Sequence, residues 1–313
     1  MDIKENIDLS QYTTFKISCV ADNFVEVSNI GEIIKALQWV KEKNLPYFIL
    51  SGGSNVAPVT DSFNGLVIKI RPQSFDLDNS VIKKDDASVL LEVPTFVLLG
   101  DLVSKTISKG LKGLEWAAGI PGLVGGAIYG NAGAYGSDMS KSIVNVKSLN
   151  PETCEITERP NKDCDFSYRS SIFKNNREII VSCVLVFSKS NPDELRLFVK
   201  NKIMERALKR PKLPSAGSVF KNIILDEQDE DFKKMIPADV VKGGKVPMGY
   251  LIDQCGLKGF QCGGAKVSDE HGNVIVNCDN AKAGDLKAVI GKIKEEIKDK
   301  FGIIIDEEIV YIR

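Results

Sequence analysis

Glycine is crowded into one short stretch of this chain: nine of its 26 glycines fall between Gly110 and Gly136, in GLKGLEWAAGIPGLVGGAIYGNAGAYG. A segment this poor in side chains does not favour a helix or strand for its own stability, because glycine loses the most backbone freedom on folding. Bare backbone brings N–H groups within hydrogen-bonding reach of an anion or a flat ring, as phosphate-cradling loops do. The spacing is not a strict three-residue repeat, which excludes collagen; a tightly packed glycine turn without a ligand stands as the alternative. A second loop of the same character, Ser51-Gly52-Gly53-Ser54-Asn55, directly follows the apolar run Tyr47 to Leu50. A strand there delivers a Gly-Gly turn flanked by hydroxyls and an amide, a suitable nest for a pyrophosphate. No GxGxxG, no GxxxxGK with Ser or Thr, and no GxSxG occurs, so neither a Rossmann cofactor site, a P-loop nor a hydrolase nucleophile elbow is supported.

Other chemistries are excluded by composition. His271 is the single histidine, which removes HExxH and His-cluster metal sites and any mechanism that needs two imidazoles; no metal is expected. The seven cysteines are scattered without a CxxC pair and read as reduced, buried small hydrophobes. Lys plus Arg number 41 against 42 Asp plus Glu, with a pI near 6.1, so no net field holds a polyanion and nucleic acid is not an expected partner. With 43% hydrophobic and 27% charged residues in 313, the chain is a folded globular protein of two or three domains. No apolar run approaches the roughly 18 residues of a membrane span, and MDIKENIDLS lacks the apolar stretch of a signal peptide, so a cytoplasmic protein without membrane insertion is expected. No apolar stripe stands out as an unburied interface, and a monomer is expected.

The elements that must position these loops follow from periodicity. Short β-branched runs predict strands at Phe24 to Val27, Tyr47 to Leu50, Leu66 to Ile70, Val89 to Val93, Ile143 to Leu149 and Ile179 to Phe187. Helical spacing appears in GEIIKALQWVKEKN and again at Leu98, Leu99, Leu102, Val103 and Ile107. Residues 192–208 predict an amphipathic connecting helix with Leu195, Phe198, Val199, Ile203 and Leu208 on one side. In the last module, Asp226 to Lys234 reads as a solvated charged loop, Leu286 to Ile297 as a long helix, and Ile303 to Ile305 and Ile309 to Ile312 as apolar strand. The order points to an α+β chain with a break near Arg71 to Lys84, where polar residues and Pro72 interrupt the pattern.

Six blocks then carry a resemblance: TTFKI (13–17), SGGSN (51–55), GLEWAAGIPGLVGGAIYGNAGAYG (113–136), FSYRSSIFK (166–174), PSAGSVFKN (214–222) and GYLIDQCGLKGFQCGGAKVS (249–268). Together, in this order, they resemble the UDP-N-acetylenolpyruvoylglucosamine reductase (UDP-N-acetylmuramate dehydrogenase) family, in its compact subtype. The resemblance implies an FAD-binding two-subdomain module of the vanillyl-alcohol-oxidase (PCMH) type, residues 1–70 and 71–205, followed by an α+β substrate domain at 206–301, with 302–313 returning to the first subdomain. It implies an FAD-dependent oxidoreductase of peptidoglycan synthesis in which NADPH reduces the flavin and the flavin reduces UDP-N-acetylglucosamine enolpyruvate to UDP-N-acetylmuramate. One pocket serves nicotinamide and substrate in turn, so no separate dinucleotide fingerprint is expected.

Roles transfer residue by residue. Hydride addition to the enolpyruvyl double bond builds negative charge on the carbon bearing the carboxylate, which calls for a cation, a donor and a proton source. Arg169 matches the family's catalytic arginine, Ser218 its proton donor, with Lys221 a candidate for lowering the hydroxyl's pKa, and Glu308 its catalytic glutamate. Glu307 stands one residue away; the family's glutamate directly before an apolar residue favours Glu308. Ser51, Gly52, Gly53, Ser54, Asn55, Gly122, Gly125, Gly126, Asn131, Gly133, Ala134 and Tyr135 match positions lining FAD, with Thr13 and Thr14 nearby. Tyr168, Lys209 and Asn222 match contacts to the UDP diphosphate or sugar, and His271 lies where the family has a polar residue near the substrate.

Three departures stand out. Ser18-Cys19-Val20-Ala21 replaces a common Gly-Gly-Pro-Ala, and Val93-Pro94-Thr95 replaces a common Gly-Ala-Gly, which is expected to crowd the cofactor. Residues 223–248 lengthen the connection after Ser218, as a lid or a surface excursion. Two other functions fit the same residues: a non-catalytic flavin or sugar-nucleotide binding homologue, and an FAD oxidoreductase of the same fold with another substrate. A covalent flavin link would mark the latter, but the glycine-rich region has no His, and no Cys occurs between Cys19 and Cys154.

Overall fold

The computed structural model describes residues 1–209 and 211–313, with Lys209 described by its backbone alone. The chain forms two compact units. The first comprises Met1–Lys4, Phe24–Gly52 and Gly65–Leu208; the second comprises Glu5–Asn23, Gly53–Asn64 and Lys209–Arg313.

Local chemistry explains the first helix, Ile30–Lys43. Asn29 accepts from the Glu32 amide at 3.0 Å while the Glu32 carboxylate accepts from the Ser28 amide at 2.6 Å, and Asn44 ends the helix in the left-handed region. Its buried Ile33, Ala36, Leu37 and Val40 pack with Val25, Val27, Leu66 and Ile68 of the strands Val20–Val27 and Ser62–Ile70. The sheet order is Lys4–Asp8, Val20–Val27, Ser62–Ile70, Tyr47–Leu50, with the last pair parallel. A second apolar core of the first unit gathers around an antiparallel sheet ordered Ile156–Pro160, Ile143–Leu149, Ile179–Lys189, Ser88–Pro94, Val81–Lys84, against which the helix Leu99–Ser108 buries Leu99, Leu102 and Val103. Residues 71–84, where composition predicts a break, lie inside the first unit: Phe75 and Leu77 are buried in that second core, and Val81 pairs with Leu91.

The second unit is built on an antiparallel sheet ordered Ser215–Ser218, Val274–Asn277, Ala265–Val267, Gln261–Cys262. The helix Ala283–Phe301 buries Leu286, Val289, Ile290, Ile293 and Ile297 in this unit's core, as its spacing predicts. Val310–Ile312 pairs in parallel with Val56–Pro58.

Three expectations are corrected. The charged run 226–234 is not a loop throughout: Asp229 caps the helix Glu230–Met235, acidic residues occupy its first turn and Lys233 and Lys234 its last, and Phe232 is buried edge-on against Phe301 at 6.2 Å. The helix dipole favours that charge order, and one aromatic anchor suffices to fold the run down. Residues 223–248 thus form a closed excursion, with Ile223–Ile224 paired to Lys245–Val246. Residues 303–305 alternate buried Ile303, exposed Ile304 and buried Ile305 but belong to no strand; Ile303 and Ile305 are held by the second unit's core. The connecting helix, Pro192–Lys209, forms, yet of its expected apolar side Ile203 and Leu208 face solvent and only Leu195 is fully buried. Among the described residues no helix is long and apolar enough to cross a membrane.

Candidate active site

In the first unit the two glycine loops meet backbone to backbone. A Cβ on Gly52 would lie 2.5 Å from the Cα of Gly122, and one on Gly126 would lie 3.3 Å from Ser51 Oγ. Glycine at 52 is therefore required by the loops' mutual approach before any ligand is considered, while Gly122 holds a φ of 113°. The result is a cradle that a side chain would fill, walled by the Ser51 hydroxyl and the Gly122–Gly126 backbone. Lys69 Nζ donates to the Ser51 carbonyl from below. Burial pulls the Lys69 ammonium pKa down, and the Glu26 charge opposes that shift. Sequence reasoning missed Lys69; its only signal is a lone cation in the apolar run LVIKI.

Val93-Pro94-Thr95 lies directly beneath these glycines. Thr95 Oγ1 donates to the Ile180 carbonyl at 2.7 Å, and the Gly125 amide donates to the Thr95 carbonyl at 3.0 Å. The Thr95 side chain is thus committed to the sheet, 3.0 Å from where a Gly125 Cβ would stand. Cys19 and Ala21, from the other departure, are fully buried.

Asn131 is 3% exposed and works within its own loop: Nδ2 donates to the Ser167 carbonyl at 2.9 Å and Oδ1 accepts from the Ser140 amide at 3.1 Å. That ties the glycine-rich segment to the arginine turn. There, Ser167 and Ser170 exchange both backbone bonds at 3.1 Å, which forces Arg169 to a φ of 56°. Its Nη2 donates to the Gly133 carbonyl at 2.9 Å, its guanidinium lies 5.2 Å from the Tyr168 ring centroid, and Lys174 Nζ donates to its carbonyl at 2.8 Å. Gly133 has no room for a Cβ, which would meet Ser137, Asp138 and the Arg169 Nη1. Arg169 is thus a half-buried, held cation rather than a solvated surface arginine. Ala134 pairs with Ser137, and Tyr135, 44% exposed, lies under Lys202 at 4.4 Å and Arg206 at 5.6 Å.

The second unit gathers the serine and the glutamate. The Glu308 amide donates to the Val219 carbonyl at 2.7 Å and the Lys221 amide to the Asp306 carbonyl at 2.9 Å, so 306–308 runs beside 219–221. Asn55 Nδ2 donates to the Glu308 carbonyl at 3.1 Å, and the Val310 amide to the Asn55 carbonyl at 2.9 Å. Thr14 Oγ1 donates to the Ser215 carbonyl at 2.7 Å, and the Thr14 amide to the Gly53 carbonyl at 2.9 Å; Thr13 Oγ1 accepts from the Lys16 amide. TTFKI, Gly53 to Asn55, Ser218 and Glu308 are thereby laced together, with Ser54 between Gly53 and Asn55 in the same unit.

Glu307 is engaged elsewhere. It pairs with Lys294 at 2.5 Å, and burial together with the Glu307 charge and hydrogen bond pushes the Tyr311 hydroxyl pKa well up. Lys221 lies 3.7 Å from the Asp306 carboxylate, which takes up part of the charge expected to act on Ser218. Asn222 Oδ1 accepts from the Met248 amide at 3.0 Å. His271 Nδ1 accepts from the Asn273 amide at 3.2 Å, which leaves the ring proton on Nε2 when the imidazole is neutral. The side chain of Lys209 lies outside the described residues. Arg169, Tyr168 and the Gly122–Tyr135 segment belong to the first unit. Among the described residues no group of three or more His, Cys, Asp or Glu side chains is placed to hold a metal ion.

Comparison with known proteins completes the picture. Residues 209–312 match the family profile described as UDP-N-acetylenolpyruvoylglucosamine reductase, C-terminal domain, and residues 21–155 match an FAD binding domain. A UDP-N-acetylenolpyruvoylglucosamine reductase of Solibacter usitatus is 34% identical over 312 residues, covering 99% of this chain and 96% of the relative. One of Bacillus licheniformis is 36% identical over 312 residues, covering 99% and 94%. The crystal structure of the Thermus caldophilus UDP-N-acetylenolpyruvylglucosamine reductase superposes with a TM-score of 0.76 at 26% identity, covering 99% of each chain. Sequence, domain content and fold agree, and the chain belongs to the UDP-N-acetylenolpyruvoylglucosamine reductase family.

Proposed function

We infer that this protein reduces the enolpyruvyl ether of UDP-N-acetylglucosamine enolpyruvate to UDP-N-acetylmuramate, a step of peptidoglycan precursor synthesis, as an FAD-dependent oxidoreductase with NADPH as reductant. FAD, when bound, would supply hydride-transfer chemistry between NADPH and the enolpyruvyl double bond. The cradle of Ser51, Gly52, Gly122, Gly125 and Gly126 fits such a cofactor: bare backbone and hydroxyls, with Lys69 supplying positive charge beneath the loop. Asn131 holds this region through its side-chain bonds and Asn55 braces Glu308, both as positioning residues. Gly53, Ser54, Gly133, Ala134 and Tyr135 are the remaining cofactor-lining candidates.

Hydride arrival leaves an electron pair on the carbon that bears the carboxylate. Arg169, fixed by its turn and the Gly133 carbonyl, binds that carboxylate and stabilises the charge. Ser218 Oγ gives its proton to the carbon. Glu308 acts on the substrate carboxyl side, and Tyr168, Lys209, Asn222 and His271 contact the sugar nucleotide. The division into 1–70, 71–205 and 206–301, with 302–313 returning, is proposed as the functional one, with the protein acting in the cytoplasm as a monomer.

The observation that carries the catalytic assignment is the 2.7 Å bond from the Glu308 amide to the carbonyl of Val219, next to Ser218, which brings the two resemblance-assigned residues side by side across most of a domain's sequence. Purified protein is expected to be yellow and to oxidise NADPH only when the enolpyruvyl sugar nucleotide is added. Colourless, folded protein that cannot be reconstituted with FAD refutes the reading. Within it, Ser218→Ala is expected to keep flavin reduction by NADPH and to slow reoxidation by substrate; unchanged turnover removes Ser218 from the mechanism.

A further inference from the structure

The strand that carries Ser218 is irregular where it matters. Ser215 pairs with Val276 but Ser218 with Val274, so Ala216 and Gly217 on one strand stand opposite Ile275 alone on the other, and Gly217 takes a φ of 77°. A bulge of this kind releases the chain from its ladder and aims a side chain, but leaves the following backbone without regular partners. Asn273 supplies them. It is 3% exposed, its Oδ1 accepts from the Phe220 amide at 3.0 Å, its Nδ2 donates to the Phe220 carbonyl at 2.8 Å, and its own carbonyl accepts from the Val219 amide at 2.9 Å. A side-chain amide that serves both polar groups of one residue stands in for a neighbouring strand's peptide group. On the opposite edge the same stretch is held by the Glu308 amide.

We propose that Asn273 is the positioning residue of the proton-transfer step: its side chain fixes the backbone after the bulge and so the place of Ser218 Oγ relative to Glu308. Asn273 touches neither substrate nor cofactor in this role. The inference rests on Ser218 being the proton donor. Displacement of a reacting group by about 1 Å costs on the order of 100-fold in rate, and loss of the clamp leaves Phe220 N–H and C=O unpaired in a buried place, where such displacement follows.

The test is stopped-flow analysis of the FAD-loaded enzyme, separating flavin reduction by NADPH from reoxidation by UDP-N-acetylglucosamine enolpyruvate, on Asn273→Ala, Asn273→Asp and Ser218→Ala. Asn273→Ala is expected to reduce flavin within about twofold of the parent rate, to reoxidise it about 10- to 100-fold more slowly, and to show faster hydrogen exchange at the Val219 and Phe220 amides. Asn273→Asp supplies a second reading that a purely structural role would not move. A neutral carboxyl has the donor and acceptor of the amide, whereas a carboxylate has no donor for the Phe220 carbonyl. Its reoxidation rate relative to the parent is therefore expected to recover as pH falls. Equal loss in both half-reactions, or an Asn273→Asp ratio flat with pH, overturns the proposal. Normal reoxidation in Asn273→Ala beside slow reoxidation in Ser218→Ala overturns the positioning role alone; normal reoxidation in Ser218→Ala overturns the proton-donor reading beneath it.

Discussion

Replacing Gly52 by alanine puts the structural reasoning under direct strain. The new methyl carbon would stand 2.5 Å from the Gly122 Cα and 3.2 Å from both the Gly122 carbonyl carbon and the Leu123 nitrogen. All three are backbone atoms, so no rotamer change relieves the contact, and the loops must separate by about 1 Å to reach ordinary van der Waals distance near 3.5 Å. Overpacking of this kind costs about 1–3 kcal/mol. At about 2–4 °C per kcal/mol for a unit of this size, the melting temperature of the cofactor-free protein should fall by about 2–12 °C. The same separation opens the Ser51 contact with Gly126 and drags the Ser51 carbonyl off Lys69, so if half of the strain reappears in the cradle, FAD binds about 2- to 12-fold more weakly at 1.4 kcal/mol per decade. Gly100→Ala is the matched control: that glycine sits in the helix Leu99–Ser108 with nothing within 4 Å of its would-be Cβ, and alanine there should stabilise by about 0.5–1 kcal/mol. Scanning calorimetry and a fluorescence titration with FAD read both quantities. Parent-like melting and parent-like FAD affinity in Gly52→Ala would show that the two loops do not meet at Gly52 and Gly122 and form no such cradle.

The two adjacent glutamates should separate cleanly: Glu307→Gln loses the Lys294 pair, partly exposed and worth about 1 kcal/mol or less, while keeping turnover, whereas Glu308→Gln should keep its melting temperature and lose about 100-fold or more in kcat. Steady-state kinetics and thermal melts on both variants check this, and the reverse pattern would assign the role to Glu307. For pH, burial foremost, with the Asp8 and Asp61 charges adding, pushes the Cys19 thiol from 9.0 up to about 11. The folded form then holds a proton that the unfolded form releases, so this thiol's stabilisation is complete below pH 9 and is lost as pH rises towards 11. Melting curves should fall across that window less steeply in Cys19→Ala than in the parent, and identical slopes would remove Cys19 as a contributor.

Local pattern made much of the scaffold legible. The run YFIL and the run IVNVKSL end where their strands end, because β-branched and aromatic residues bounded by turn formers leave few alternatives. The helix Ala283–Phe301 follows from apolar spacing alone. Where reading failed, one buried residue outweighed the surrounding composition: Phe232 folds a charged run into a capped helix, and Ile303 and Ile305 alternate like a strand but find no ladder. The site divides the same way. Glycine clustering marked the cradle, but part of that clustering serves the close approach of neighbouring segments rather than ligand access, as Gly126 against Ser51 and Gly133 against Ser137 and Asp138 show. Asn55 and Asn273 act through side-chain bonds to Glu308 and Phe220, separated by 253 and 53 residues, and no periodicity records a contact of that span.

The parallel pairing of Val310–Ile312 with Val56–Pro58 bears on how the protein is made. A ribosome adding about 5–20 residues per second delivers Glu308 roughly 10–50 s after Asn55, across a separation of 253 residues. Once residue 208 has been added, with 100 residues still to be added through Glu308, the first unit has its full complement of chain, whereas the second, begun at Glu5, waits for its closing segment. Vectorial synthesis therefore yields nascent chains in which the first unit can fold around its glycine cradle before residue 308 is delivered, and under the proposed role of Glu308 reductive chemistry on the sugar nucleotide begins only once translation has passed that residue.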